Sequence, residues 1–269
     1  MTTKRITLSV EDNVARVLIN RPDKHNAIDM QMFEEIKQLI KKLKRDKSLR
    51  AVVVAGEGES FCSGIDVKSA LGSKKNAAKL LFKWLPGQAN LAQFVSTGWR
   101  EIPCPVIMVI HGKCWGGGLQ IALGGDFRIA DADAKLSILE ARWGLIPDMG
   151  GSLALREQMV TDKAKYLAMT GKELSAEQAL SYNLVTEVSD KPLSRALSIV
   201  NDIKMQSPDS VAGVKKLYNQ STWRSQAYAL AKESWYQIKI IMGKNQRIKT
   251  YNQIHDADRA KPFKNRKTW

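Results

Sequence analysis

Two glycine-bearing segments are where this sequence could do chemistry. Ser60-Phe-Cys-Ser-Gly-Ile-Asp66 and His111-Gly-Lys-Cys-Trp-Gly-Gly-Gly-Leu-Gln120 each follow a short apolar run that reads as a buried strand. Three successive glycines opening a helix leave backbone N–H groups unpaired and uncovered by side chains. The helix dipole adds positive potential at the same end. Such a place holds an oxyanion or a phosphate. Taken alone, Gly116–Gly118 serve equally well to let a helix lie close against a sheet; the companion loop Ser63-Gly64-Ile65-Asp66 favours the functional reading. Other chemistries lack their motifs. Gly56 and Gly58 are followed by Phe61 where a dinucleotide loop needs its third glycine, and neither G-x-x-x-x-G-K-[ST] nor G-x-S-x-G occurs.

Four stretches then stand in order along the chain: Asn20-Arg-Pro-Asp-Lys-His-Asn-Ala27, Phe61-Cys-Ser-Gly-Ile-Asp66, Gly112 through Asp126, and Glu140-Ala-Arg-Trp-Gly-Leu-Ile-Pro-Asp-Met-Gly-Gly151. Together they resemble the N-R-P-x-x-x-N-A, F-x-[SA]-G-x-D, G-x-x-x-G-G-G…D and E-x-x-x-G-x-x-P-x-x-G-G signatures of the enoyl-CoA hydratase/isomerase (crotonase) family. The resemblance implies an α/β fold, a right-handed spiral of ββα units over residues 1–190 carrying the site, with a helical C-terminal oligomerisation region over 191–269. It implies a homotrimer or hexamer. It also implies an acyl-CoA thioester substrate, of which coenzyme A is a part, with no separate cofactor and no metal. The backbone N–H groups of Ile65 and Gly117 would form the oxyanion hole, where each donor is typically worth ~3–4 kcal/mol. Lys24, His25, Ala27, Ser63, Asp66, Val67, Gly116 and Leu139 would line the CoA and substrate path.

The same resemblance assigns the reactive side chains and exposes a departure. Hydratases of the family carry two glutamates 20 positions apart; here the second is Glu140 and the first is Gln120. An amide has no useful basicity, so Gln120 orients a water or a carboxylate but is no general acid or base. Asp148 stands where hydratases usually have glycine, and dienoyl-CoA isomerases have Glu and Asp at these two positions. Glu140, its pKa raised by burial, would shuttle a proton with Asp148 as second carboxylate. This points to an enoyl- or dienoyl-CoA isomerase, with a hydratase as the alternative. Plainer readings make Asp148 a turn residue and Glu140 a structural acid paired with Arg142.

Stepping outward, Arg5–Val10 and Val14–Ile19 alternate like a hairpin turning at Glu11-Asp12-Asn13. Asp29 caps a helix whose Phe33, Ile36, Ile40 and Leu43 recur at helical spacing. Ala51–Ala55 and Pro105–Ile110 read as buried strands, and Phe127–Ala130 and Leu136–Ile138 as shorter ones. Residues 67–100 read as irregular, with Trp84 and Trp99 as core residues or as walls of an acyl pocket. Beyond 150 helices take over: Ser175 to Gln178 fits a capping box, Pro208 a first turn, and 224–258 one long helical pattern. No repeat is evident.

Composition sets the outer limits. With 44% hydrophobic residues in 269, the chain has enough for a sizeable core, and its longest apolar runs fall far short of the roughly 20 residues of a membrane helix. We therefore expect no membrane partner. The first five residues carry no signal core and acids follow closely, so a cytoplasmic protein is expected. Cys62, Cys104 and Cys114 form no C-x-x-C pair, and His25, His111 and His255 are dispersed, which fits reduced thiols rather than zinc. The net charge of +15 suits a polyanionic partner, either coenzyme A or, as the reading from another class, nucleic acid. An acyl-CoA-binding protein without chemistry is a third reading, because of Gln120.

Overall fold

The computed structural model describes residues 4–267; the terminal residues Met1 to Thr3, on which the reading of the N-terminus partly fell, and Thr268 and Trp269 lie outside it. The strands are β1 (Ile6–Glu11), β2 (Val14–Ile19), β3 (Ala51–Gly56), β4 (Val106–Ile110), β5 (Lys113–Trp115), β6 (Phe127–Ala130), β7 (Lys135–Ser137), β8 (Glu173–Ser175) and β9 (Glu187–Val188). The helices are α1 (Met30–Arg45), α2 (Val67–Leu71), α3 (Lys74–Leu81), α4 (Leu91–Thr97), α5 (Gly117–Leu123), α6 (Gly151–Gln158), α7 (Thr161–Thr170), α8 (Ala176–Ser181), α9 (Pro192–Lys204), α10 (Pro208–Ser221), α11 (Gln226–Ile241) and α12 (Lys244–Ile254).

The large sheet runs β1-β2-β3-β4-β6-β9, antiparallel only at its first pair. The hairpin turns where read, at Asp12 and Asn13, both at positive φ, as a two-residue turn between twisted strands demands. Parallel strands need covering on both faces, and the alternation within β3 and β4 supplies it. Val52, Val54, Met108 and Ile110 join the main core, where α1 buries Phe33, Ile36, Ile40 and Leu43; Ala51, Val53, Ile107 and Val109 face the other way, onto Ala196 and Val200 of α9.

The second sheet, β5-β7-β8, is extended by isolated bridges Cys62↔Cys114 and Ile28↔Ile65. Each of the parallel strands β2, β3, β4 and β6 is thus followed by a short extended piece in a second layer and then by helix. That is the repeating turn of a spiral. The resemblance implied this spiral, but periodicity alone showed no repeat, because the second-layer pieces are only one to three residues long.

Three expectations need correcting. Residues 67–100 are not irregular: they hold α2, α3 and α4, and Asn90 and Gln93 form a capping box. Trp99 is core, 1% exposed, its Nε1 donating to the Val95 carbonyl at 2.8 Å, whereas Trp84 is 84% exposed and belongs to no core. The long pattern of 224–258 breaks at Gly243 into α11 and α12. At the C-terminal end Arg266 is buried and its guanidinium donates to the Leu49 and Asp46 carbonyls, strapping the tail to the α1–β3 corner. No described helix is long and apolar enough to cross a membrane.

Candidate active site

The loop between β2 and α1 is built around buried Asn26. Its Oδ1 accepts from the Arg21 N–H at 2.7 Å, and its Nδ2 donates to the Glu57 and Ser60 carbonyls at 2.9 and 2.7 Å. Arg21 donates to the Ala27 carbonyl at 2.9 Å and to Asp66 at 2.8 Å. The Asp66 carboxylate is thereby engaged with Arg21 and caps α2 by accepting from Ser69 N–H at 3.2 Å, and Arg21 holds its carboxyl below the usual range against the opposing effect of burial. So Arg21, Asn26 and Asp66 organise the loops. The motif contained the first two, and only their buried hydrogen bonds reveal the role. Along this path, Ser63 N–H donates to the His25 carbonyl at 2.9 Å and His25 Nδ1 lies 3.1 Å from Ser60 Oγ. Lys24, Ala27, Asp66, Lys68 and Ser69 line an open hollow, with Val67 exposed at the start of α2.

The two glycine segments meet. Gly64 has φ +101°, and a Cβ there would lie 3.0 Å from the Trp115 carbonyl and 3.7 Å from Gly117 N. Gly116 has φ +51° and its N–H donates to Ser137 O at 2.8 Å. That turn starts α5 at Gly117. Among the described residues, neither Ile65 nor Gly117 N–H donates to a backbone carbonyl. Gly118, by contrast, presses on Cys62, where a Cβ would come within 2.4 Å of its carbonyl, so this glycine does serve close packing.

Glu140 opens a 3₁₀ turn, Glu140–Trp143, after Leu139 and β7. Gln120 Nε2 donates to Glu140 Oε1 at 2.6 Å, while Gln120 Oε1 accepts from Met149 and Gly151 N–H at 2.9 and 3.0 Å. Two N–H groups at one end fix the amide's orientation, so its NH₂ must face the glutamate. Glu140 Oε2 is buried without a partner among the described residues, and Glu140 forms no ion pair with Arg142. Burial pushes the Glu140 carboxyl up, against the lowering effect of its own backbone N–H and of Gln120, and the negative charge of Asp148 adds to the rise. Asp148 lies in the turn before α6, exposed at the surface, yet the protein behind it raises its carboxyl too. A Cβ on Gly116 would sit 3.5 Å from Glu140 Oε1 and 3.8 Å from Leu139 Cβ, which places the carboxylate beside the glycine turn. The clamp on Gln120 from the 149–151 backbone left no signal in the sequence. A separate cavity of about 760 Å³, lined by Lys44, Arg100, Arg156 and Trp223 among others, includes none of these residues.

Among the described residues no group of His, Cys, Asp and Glu could hold a metal ion. The three cysteines are free and buried, and burial takes Cys62 up to about 12.

Comparison with known proteins follows the same line. The model of a family described as enoyl-CoA hydratase/isomerase matches residues 9–254. The chain is 31% identical to the (E)-benzylidenesuccinyl-CoA hydratase of Thauera aromatica, over 85% of this chain and 83% of that one. It is 32% identical to the mitochondrial Delta(3,5)-Delta(2,4)-dienoyl-CoA isomerase of Mus musculus, over 77% of this chain and 66% of the other. The crystal structure of enoyl-CoA hydratase from Bacillus anthracis superposes with a TM-score of 0.86 at 25% identity, covering 97% of this chain and 99% of that one.

Proposed function

The chain belongs to the enoyl-CoA hydratase/isomerase family of acyl-CoA-processing enzymes, and from that premise we propose that it moves a carbon–carbon double bond in an acyl-CoA thioester by proton transfer. The thioester oxygen would sit between the N–H groups of Ile65 and Gly117. The Glu140 carboxylate removes a proton from the carbon beside the thioester, and the electron pair moves onto the held oxygen as a dienolate from a 3-enoyl substrate or a trienolate from a 3,5-dienoyl one. With a 3-enoyl substrate Glu140 gives its proton back two carbons further along; with a dienoyl substrate Asp148, starting protonated, donates its own proton at the far carbon, and exchange with solvent then returns Glu140 to carboxylate and Asp148 to acid. The CoA moiety would follow Lys24, His25, Ala27 and Ser63.

One observation carries this reading: a single carboxylate oxygen, Glu140 Oε2, is buried beside the glycine turn without a partner, while the group opposite it is an amide locked as donor. A buried unsatisfied acceptor costs about 1–3 kcal/mol, and a substrate C–H or O–H is what would use it. Hydration asks two acid–base groups to act on one water. Gln120 removes one, and loss of a positioned acid or base costs ~10²–10⁴-fold. Purified protein assayed on 3-enoyl-, 3,5-dienoyl- and crotonyl-CoA should isomerise at least ~10²-fold faster than it hydrates, with Glu140→Gln losing isomerisation by ~10²–10⁴-fold. Fast hydration without isomerisation would reverse the assignment to hydratase; no turnover with retained acyl-CoA binding would make the chain a carrier.

A further inference from the structure

We propose that the segment from Val67 to Arg100 is an interfacial docking surface that seats this protein on an anionic lipid bilayer, with Phe82 and Trp84 entering the headgroup region. Around the end of α3 four large apolar side chains face solvent together: Leu81, Phe82, Trp84 and Leu85 are 56, 58, 84 and 59% exposed. They do not trail loosely. Leu80, 3% exposed, anchors α3 to the core, and the Phe82 and Trp84 rings meet edge to face with centroids 5.3 Å apart. A patch of this kind on a water-facing surface marks an interaction site.

Charge says which kind. From residue 67 to residue 100 the chain carries Lys68, Lys74, Lys75, Lys79, Lys83 and Arg100 and not one acid. The hollow beneath the aromatic pair, about 570 Å³, has Lys37, Lys41 and Lys79 along its rim. Its only acid, Glu34, is already paired with Lys79 at 2.9 Å and lies 3.9 Å from Lys37. Protein–protein interfaces are depleted in lysine at their cores, so a second copy of this chain, itself strongly basic, is a poor occupant. Amphipathic Trp and Phe beside a lysine fringe is the composition that settles at a membrane surface: the rings sit at the headgroup level and the ammonium groups face anionic lipid. This is lying on the bilayer, not crossing it, so the lack of a spanning helix among the described residues does not oppose it. The segment starts at Val67, two residues after Ile65, so docking would bring the lip of the glycine site to the surface from which long amphiphilic molecules arrive. That placement stands whichever reaction the site performs.

The test is co-sedimentation of the full chain with vesicles of phosphatidylcholine alone and with ~30 mol % phosphatidylserine. Binding is expected only to the anionic vesicles. The double variant Phe82→Ser/Trp84→Ser, which changes surface side chains alone, should weaken it at least ~10-fold. Lys75→Glu should weaken it at least ~5-fold, since one lysine near such a surface is worth about that factor. No binding, or binding that the aromatic double variant leaves intact, would overturn the proposal; the second result would give the membrane contact to the basic C-terminal helices. A double variant that changes the sedimentation coefficient of the protein without lipid, while vesicle binding is unaffected, would assign the patch to a second copy. If it instead raises KM for acyl-CoA with no change in vesicle binding, the pair walls the substrate path and the docking surface is refuted.

Discussion

At the scale of single residues the decisive arrangement is the contrast between Gln120 and Glu140. Replacing a carboxylate by an amide at position 120 removes a base and installs a donor whose orientation is forced by Met149 and Gly151 N–H. Glu140 is thereby left as the carboxylate beside the glycine turn, with its proton affinity raised by burial. Because the folded protein holds this proton more tightly than the unfolded chain, stability falls as pH climbs from the ordinary carboxylate range through the raised folded value. Glu140→Gln removes that loss. The melting temperature of the variant relative to the parent should therefore improve with rising pH across that window and stay level below it. A difference that stays flat from acid to neutral pH would mean that burial does not hold the proton. Asp148 gives a second readout. Its charge helps raise Glu140, so Asp148→Asn should shift the acid limb of the pH–rate profile to lower pH, because Glu140 then ionises earlier. An acid limb that does not move would show that Asp148 is a turn residue only.

At the scale of elements the site depends on how two loops cross. Gly64 and Gly116 both have positive φ, and a side chain at Gly64 would press on the Trp115 carbonyl and into the space before Gly117 N. Gly64→Ala should cost ~1–3 kcal/mol of stability from backbone strain and ~10²–10³-fold in turnover as the paired N–H groups separate. Thermal melting and kcat measured together separate the two effects, and an unaltered kcat would remove Gly64's loop from the oxyanion hole. Legibility follows the same elements. The buried strands and α1 were readable because each has five or more residues of unbroken period. The glycine turns at Gly64 and Gly116 were readable because positive φ restricts residue type there, whereas Ile65, Gly117 and Glu140 were singled out only by the resemblance of their segments to the family's signatures. Helices α2 to α4 were not, since with five, eight and seven residues none is long enough for an apolar stripe, although Asn90 and Gln93 were a signal that could have been used. The second-layer sheet and the clamp on Gln120 depend on partners far apart in sequence, and no local pattern encodes those.

At the scale of the whole molecule one surface of the C-terminal helices is unaccounted for by the fold of a single chain. On α11, Tyr236 is turned inward and only 5% exposed, while Trp235, Ile238 and Ile241 are each at least half exposed and Met242 follows at 63%. Residues 235, 238 and 242 fall at i, i+3 and i+7, one stripe along the helix, and Leu230 and Ile254 add exposed apolar side chains from α11 and α12. Leaving these four large side chains about half in water forgoes roughly half of the ~1.5–3 kcal/mol that full burial of each is worth, a loss that contact with another copy of the chain would recover. Closed symmetric assemblies are the common solution for such a face. We therefore expect the protein to sediment as a trimer or hexamer at micromolar concentration. Trp235→Lys/Ile238→Lys, which places two further charges on the stripe of an already basic chain, should shift it to monomer while the far-ultraviolet spectrum stays helical. A monomeric parent at that concentration would leave the stripe without this explanation. A double variant that stays oligomeric would move the contact to another face, and one that loses its helical signal would mean that the stripe stabilises the helix itself.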